Sequence, residues 1–201
     1  MELDVRRLGR VEYGAAWELQ RALAKDVTPE RGFLLLLEHP PVFTLGRNGK
    51  MSNVLDPGDI PVVRVDRGGD VTYHGPGQLV GYPILDVRRL GVKRFVEGLE
   101  TSIVDCLAAL GVEARRKRGC VGVWASKGKI ASIGVRVSRG VSTHGFALNV
   151  NLDLAPFARI HPCGQPGCAL TTAAAELGRE VTVEEAAERF RLRFARPMIE
   201  S

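Results

Sequence analysis

No apolar run in this 201-residue chain approaches the ~20 residues that a membrane-spanning helix needs; the longest strongly apolar stretch is Phe33 to Leu37. The segment Met1 to Arg7 carries acids early and has no apolar h-region, so no signal peptide is read and the cytoplasm is the expected compartment. Aromatic residues make up only 6% of the chain, and neither an aromatic ladder nor a zinc-finger spacing accompanies the arginines, which argues against a nucleic-acid partner. Cys-x-x-Cys pairs are absent as well. The four cysteines, Cys106, Cys120, Cys163 and Cys168, are therefore expected to be thiols rather than a disulfide frame.

What is present describes a folded protein. With 45% hydrophobic and 25% charged residues, residues 1–201 can bury one core and are expected to form a single domain. A net charge of +5 is moderately basic, with clusters at Arg88-Arg89, Lys93-Arg94 and Arg115 to Arg118. These are either solvated surface or a steering field for an acidic protein partner.

Helical spacing of Ala15, Leu19, Ala22 and Leu23 predicts a helix over residues 14–24. Gly32 to Thr44 reads as two short strands broken by Glu38-His39-Pro40-Pro41, with further strands over 61–65 and 79–87. Val92 to Leu110 shows one continuous apolar face that Gly111 ends. Val121–Ala125, Ile130–Val137 and Gly145–Leu152, joined by short polar turns, suggest an antiparallel meander. Thr171 to Leu177 is a short helix. Thr182 to Glu185 is a capping box opening a last helix through Phe194, which Pro197 stops. The class is α/β with a mixed sheet and without Rossmann alternation.

The segment Arg67 to Gln78 holds four glycines between two apolar runs. It lacks the Gly-Lys-Ser/Thr ending of a phosphate loop and leads into a strand rather than a helix, so nucleotide binding by a known loop is disfavoured. Cys163 stands between Pro162 and Gly164, which suits an exposed thiol on a fixed turn; Cys106, in an apolar run, reads as a buried structural thiol. A zinc site of His161, Cys163 and Cys168 is the competing reading. A cysteine nucleophile needs a cation or base beside it. Lys129, a lone lysine opening the apolar strand 129–134, is the candidate, against the plainer reading of a lysine that guards a sheet edge. His39, His74, His144 and His161 are each more often structural than catalytic; glycine-rich surroundings put His74 and His144 at a site wall.

Taken together, these residues resemble the lipoyl(octanoyl) transferase family. The likeness runs from Trp17-Glu18-Leu19-Gln20 through Arg67 to Gln78, Gly128 to Gly134, His144 to Leu152, and Pro162-Cys163-Gly164. It implies the biotin–lipoate ligase fold, with a large mixed β-sheet flanked by helices. It implies transfer of an octanoyl group from octanoyl-acyl carrier protein, through a Cys163 thioester, to a lysine of lipoyl domains in 2-oxoacid dehydrogenase complexes and of glycine-cleavage H protein. That would be the first step of endogenous protein lipoylation, needing no cofactor or metal and performed by a monomer. Cys163 would be the nucleophile and Lys129 the group that lowers its pKa and moves its proton. Arg67, Gly68, Gly69, Asp70, Val71, Thr72, Tyr73, His74, Ser132, Ile133, Gly134, Gly145, Phe146 and Ala147 would line the acyl and thioester slot. Asp70 and Gln165 depart from the residues usual at their positions. An ATP-dependent lipoate–protein ligase on the same fold and a protein-binding module with an incidental Cys163 are the alternatives.

Overall fold

The computed structural model describes residues 1–162 and 167–194. In chain order the elements are β1 (Glu2–Arg10), α1 (Tyr13–Leu23), β2 (Arg31–Glu38), β3 (Val42–Leu45), β4 (Val62–Arg64), β5 (Val71–His74), β6 (Gln78–Ile84), α2 (Val92–Leu110), β7 (Arg115–Lys117), β8 (Cys120–Ala125), β9 (Gly128–Ser138), β10 (Val141–Asn149), α3 (Ala173–Leu177) and α4 (Val183–Phe194). Among the described residues no helix is long and apolar enough to cross a membrane.

A seven-stranded sheet in the order β1-β2-β6-β10-β9-β8-β7 is parallel only at β1–β2, and a second sheet runs β4-β3-β5. β6 sits between β2 and β10, is buried at every position, and so reads as one apolar run. Against one face, Leu34, Leu36, Leu79 and Leu148 pack on α2 and α4 through Phe95, Leu99, Ile103, Phe190 and Phe194. Each of these buried aromatic and aliphatic side chains contributes about 1.5–3 kcal/mol. The other face, with Leu35, Leu37, Val80, Tyr82 and Ala147, receives Ala16 and Leu23 of α1.

Helix ends follow the local chemistry. α2 stops where Gly111 takes φ 93, and the amide of Val112 closes on the Leu107 carbonyl at 2.9 Å. α4 opens where the Thr182 hydroxyl accepts from the Glu185 amide at 3.1 Å. The expected meander is formed by β8, β9 and β10.

Residues 1–7, to which no element is assigned above, contribute one: Leu3 and Val5 alternate with charged neighbours and form part of β1 against β2. The glycine-rich stretch itself contains a strand, since Val71–His74 pairs antiparallel with β3 in the smaller sheet. Pro197 lies outside the described residues.

Candidate active site

The strand after Arg67 brings the small sheet against the large one. The amide of Gly68 donates to the Val135 carbonyl of β9 at 3.0 Å, and the Gly46 and Arg47 amides hold the loop from the other side through Asp70 and Arg67 carbonyls. Between this loop, β9 and β10 lies a narrow slot with a cavity volume of about 60 Å³.

Its walls are Arg67, Gly68, Gly69, Asp70, Val71, Thr72 and His74 from the loop and β5, Ser132, Ile133 and Gly134 from β9, and Gly145, Phe146 and Ala147 from β10. Tyr73 is placed elsewhere, its ring packed on Phe43 and Phe157 at 5.4 and 5.6 Å, because neighbouring strand residues point to opposite faces. Gly75 and Gly77 also lie outside the slot. Gly77 donates to Glu38 and accepts from the amides of Val150 and Asn151, so this glycine serves chain-to-chain approach rather than ligand room. Gly145 lets β10 lie close to its neighbour β6: a Cβ there would stand 2.1 Å from the Gly81 carbonyl oxygen.

Tyr13, Val80, Tyr82 and His144 complete the lining. Sequence reasoning named only His144 among these as a wall. Tyr13 opens α1, and Val80 and Tyr82 hide inside an apolar strand whose alternation alone would have aimed them at one face.

Behind the slot the polar groups form directed chains. Arg67, which is 8% exposed, donates from Nη2 to both the Thr44 carbonyl and its hydroxyl at 2.7 Å. The Thr44 hydroxyl, 3.3 Å from Nε2 of His74, can donate there, since Nδ1 of His74 must donate to the Gln78 carbonyl oxygen at 2.7 Å. Gln78 continues to Asn149 at 2.9 Å, and Asn149 to the Thr171 carbonyl at 3.1 Å.

His144 adopts φ 57 within β10, a left-handed conformation that non-glycine residues take mainly where the surroundings impose it. Its amide donates to Gln20 at 2.7 Å, Nε2 donates to Asp66 at 2.8 Å, and Nδ1 is left to accept from the Tyr13 hydroxyl at 3.3 Å. Asp66 also pairs with Arg136.

These imidazoles are neutral. Burial pushes His144 down to about 3, helped by Arg67 and Arg136, and His39 down to about 4. His74 falls well below its usual value through burial and then the neighbouring His39. Burial raises Tyr13 to about 12, so its hydroxyl stays protonated.

Lys129 lies one cavity away. It is 6% exposed, with Nζ 5.2 Å from the centre of the Trp124 ring. Its strand, β9, lies between β8 and β10, so the edge-guarding reading of this lysine does not hold. Room for it comes from Gly122: at φ 130 its missing Cβ would stand 2.6 Å from Lys129 Cε. The Lys129 amide donates to the Ala169 carbonyl at 2.9 Å, and its carbonyl accepts from the Thr171 amide at 3.1 Å.

Gly167, Cys168 and Ala169 wall the Lys129 cavity, which shares Gly69 and Ile133 with the slot. Cys163 and Gln165 lie outside the described residues. Asp70 caps its own loop, accepting from Asn53 Nδ2 and the Val71 amide at 2.6 Å.

Residues 12–195 match the family model described as lipoyl protein ligase A/B catalytic domain. The chain is 55% identical over 183 residues to an octanoyltransferase of Geobacter sulfurreducens, covering 89% of this chain and 77% of that protein. It is 48% identical over 198 residues to an octanoyltransferase of Shewanella amazonensis, covering 96% and 90%. Among solved structures, a lipoate-protein ligase A bound with ATP superposes with a TM-score of 0.84 at 16% identity, covering 98% of this chain and 86% of that one. A biotin protein ligase from Aquifex aeolicus with biotin and ATP gives 0.61 at 14% identity, covering 97% and 70%. Those two likenesses establish the biotin–lipoate ligase fold. With the family match and the octanoyltransferase relatives beside them, this chain belongs to the lipoyl protein ligase A/B family, in its lipoyl(octanoyl) transferase branch.

Proposed function

We propose that residues 1–201 act as one octanoyltransferase domain that moves an octanoyl group from acyl carrier protein to a lysine of a lipoyl domain. The observation that carries this reading is the meeting of two cavities: a narrow slot lined by Val80, Ile133, Phe146 and Ala147, and beside it, sharing Gly69 and Ile133, the cavity of a buried lysine walled by Gly167 to Ala169. Relatives named octanoyltransferase at 48–55% identity support the acyl group and the reaction class.

The thiolate of Cys163 attacks the carbonyl carbon of the octanoyl thioester, and backbone amides of the glycine-rich walls hold the oxyanion. The donor's C–S bond breaks, and its sulfur leaves with a proton supplied through Lys129. The acceptor lysine amine then attacks the acyl-enzyme, an amide C–N bond replaces the C–S bond, and Lys129 takes the surplus proton. One thioester exchanges for another at nearly equal energy and the amide drives the second step, so the chemistry is complete without ATP. An octanoyl tail in the slot gains about 5 kcal/mol from burial.

Purified protein mixed with octanoyl-acyl carrier protein and an apo lipoyl domain, without ATP, is expected to octanoylate one lysine of that domain. Modification only with ATP and a free acid would replace this reading with the ligase reaction.

A further inference from the structure

A third hollow adjoins the Lys129 cavity. A groove of about 840 Å³ runs between the first turns of α2 (Val92, Lys93, Val96) and the β7–β8 hairpin (Lys117, Arg118, Val121). It shares Lys117, Gly119, Cys120 and Val121 with the Lys129 cavity, which in turn shares Gly69 and Ile133 with the acyl slot. The three hollows are thus neighbours that share wall residues.

The rim of this groove is basic. Arg116 is shared between Glu100 at 2.8 Å and Glu97 at 3.6 Å, so the lining sets Lys93, Arg116, Lys117 and Arg118 against two acids. Lys93, Lys117 and Arg118 are all exposed and form no ion pair among the described residues. Charges on the edge strand β7 also guard against strand pairing. That role does not account for Lys93 on a helix across the groove. Nor does it account for Val92 and Val121, which expose 48% and 53% of their surface between these cations. Apolar anchors beside a lining of net positive charge fit an acidic protein surface.

We propose that this groove is where the acyl donor docks: an acidic carrier protein whose body rests on the α2–hairpin rim. The proposal rests on the octanoyl-transfer reading above. The carrier's arm runs through the shared junction, where Lys117 meets the anionic phosphodiester, past Lys129, and its tail enters the slot. Order along the path matches order in the donor: protein, charged arm, thioester, apolar tail. A lipoyl domain presents its acceptor on a lysine side chain, far shorter than this arm, so its body has to sit closer to Lys129 than this rim.

The test uses the full chain carrying Lys93→Glu and Arg118→Glu together, two exposed positions outside the Lys129 cavity, with an unchanged thermal midpoint as the check on folding. Acylation is followed with octanoyl-acyl carrier protein and with octanoyl-N-acetylcysteamine, which lacks the protein and the phosphodiester. The expected result is about a tenfold or larger rise in KM for the carrier substrate, with a flatter salt dependence. The small thioester should be unaffected. An unchanged KM for the carrier, or an equal loss with both donors, overturns the proposal. A rise only in KM for the lipoyl domain gives the face to the acceptor and also overturns it. If the unaltered protein is acylated by neither donor, the transfer reading itself fails.

Discussion

Acidification from about pH 7.5 to about pH 5 should weaken this fold through its histidines before most carboxylates titrate. His39 and His144 are buried, held down to about 4 and about 3 from a usual value of 6.5. The groups facing them are Tyr13, Tyr82, Asp66, Arg67 and Arg136 and the Val11 carbonyl. Both folded values are depressed, so the unfolded chain binds protons that the folded chain refuses. Stability is therefore intact above 6.5 and declines as pH falls toward the folded values. At about pH 5 each of the two costs about 2 kcal/mol, roughly 4 kcal/mol together, and His74 adds to the loss in the same direction. That is a large part of the ~5–15 kcal/mol that stabilises a typical domain. Urea unfolding followed by the fluorescence of Trp17 and Trp124, at steps of pH, measures it. The unfolding free energy should fall by about 3–4 kcal/mol per pH unit near pH 5.5, the signature of two to three protons, with a constant m-value. A slope below one proton would refute the assignment of neutral, buried imidazoles.

Three substitutions test the site itself. Lys129→Ala should slow alkylation of Cys163 at neutral pH by about tenfold, read by peptide mapping to separate it from Cys106, Cys120 and Cys168; unchanged alkylation would remove the lysine's role. Gly122→Ala places a Cβ 2.6 Å from both Lys129 Cε and the Ala131 carbonyl oxygen at φ 130, so it should cost about 1–3 kcal/mol of stability and slow the same alkylation. A thermal midpoint equal to the parent's would count against that crowding. Ala147→Leu fills the slot beside Val80 and Tyr82, and should shift kcat/KM from octanoyl toward shorter acyl donors by ~1–3 kcal/mol per methylene lost. An unshifted chain-length profile would place the tail elsewhere.

Much of this was legible in the chain because local chemistry and tertiary structure agree. The apolar face of α2, the capping threonine of α4 and the polar turns of the meander each determine a boundary by themselves. β1 escaped because its alternation of Leu3 and Val5 is short and set among charges, and its stability comes from pairing with β2, which lies outside any local window. The same limit applies to the slot. Glycines at Gly68, Gly69 and Gly134 announce backbone approach, but only strand alternation in three dimensions turns Tyr73 away and brings Tyr13 and Tyr82 in. From sequence alone Lys129 reads more readily as an edge guard, because only the sheet order puts β8 beside its strand.

The central claim is a covalent acyl-enzyme on Cys163, and intact-mass spectrometry of the protein mixed with octanoyl-acyl carrier protein tests it most directly. The account predicts one octanoyl adduct that forms without ATP, is lost in Cys163→Ser, and is discharged on adding apo lipoyl domain. No adduct on the unaltered protein, or an adduct that persists in Cys163→Ser, would contradict it.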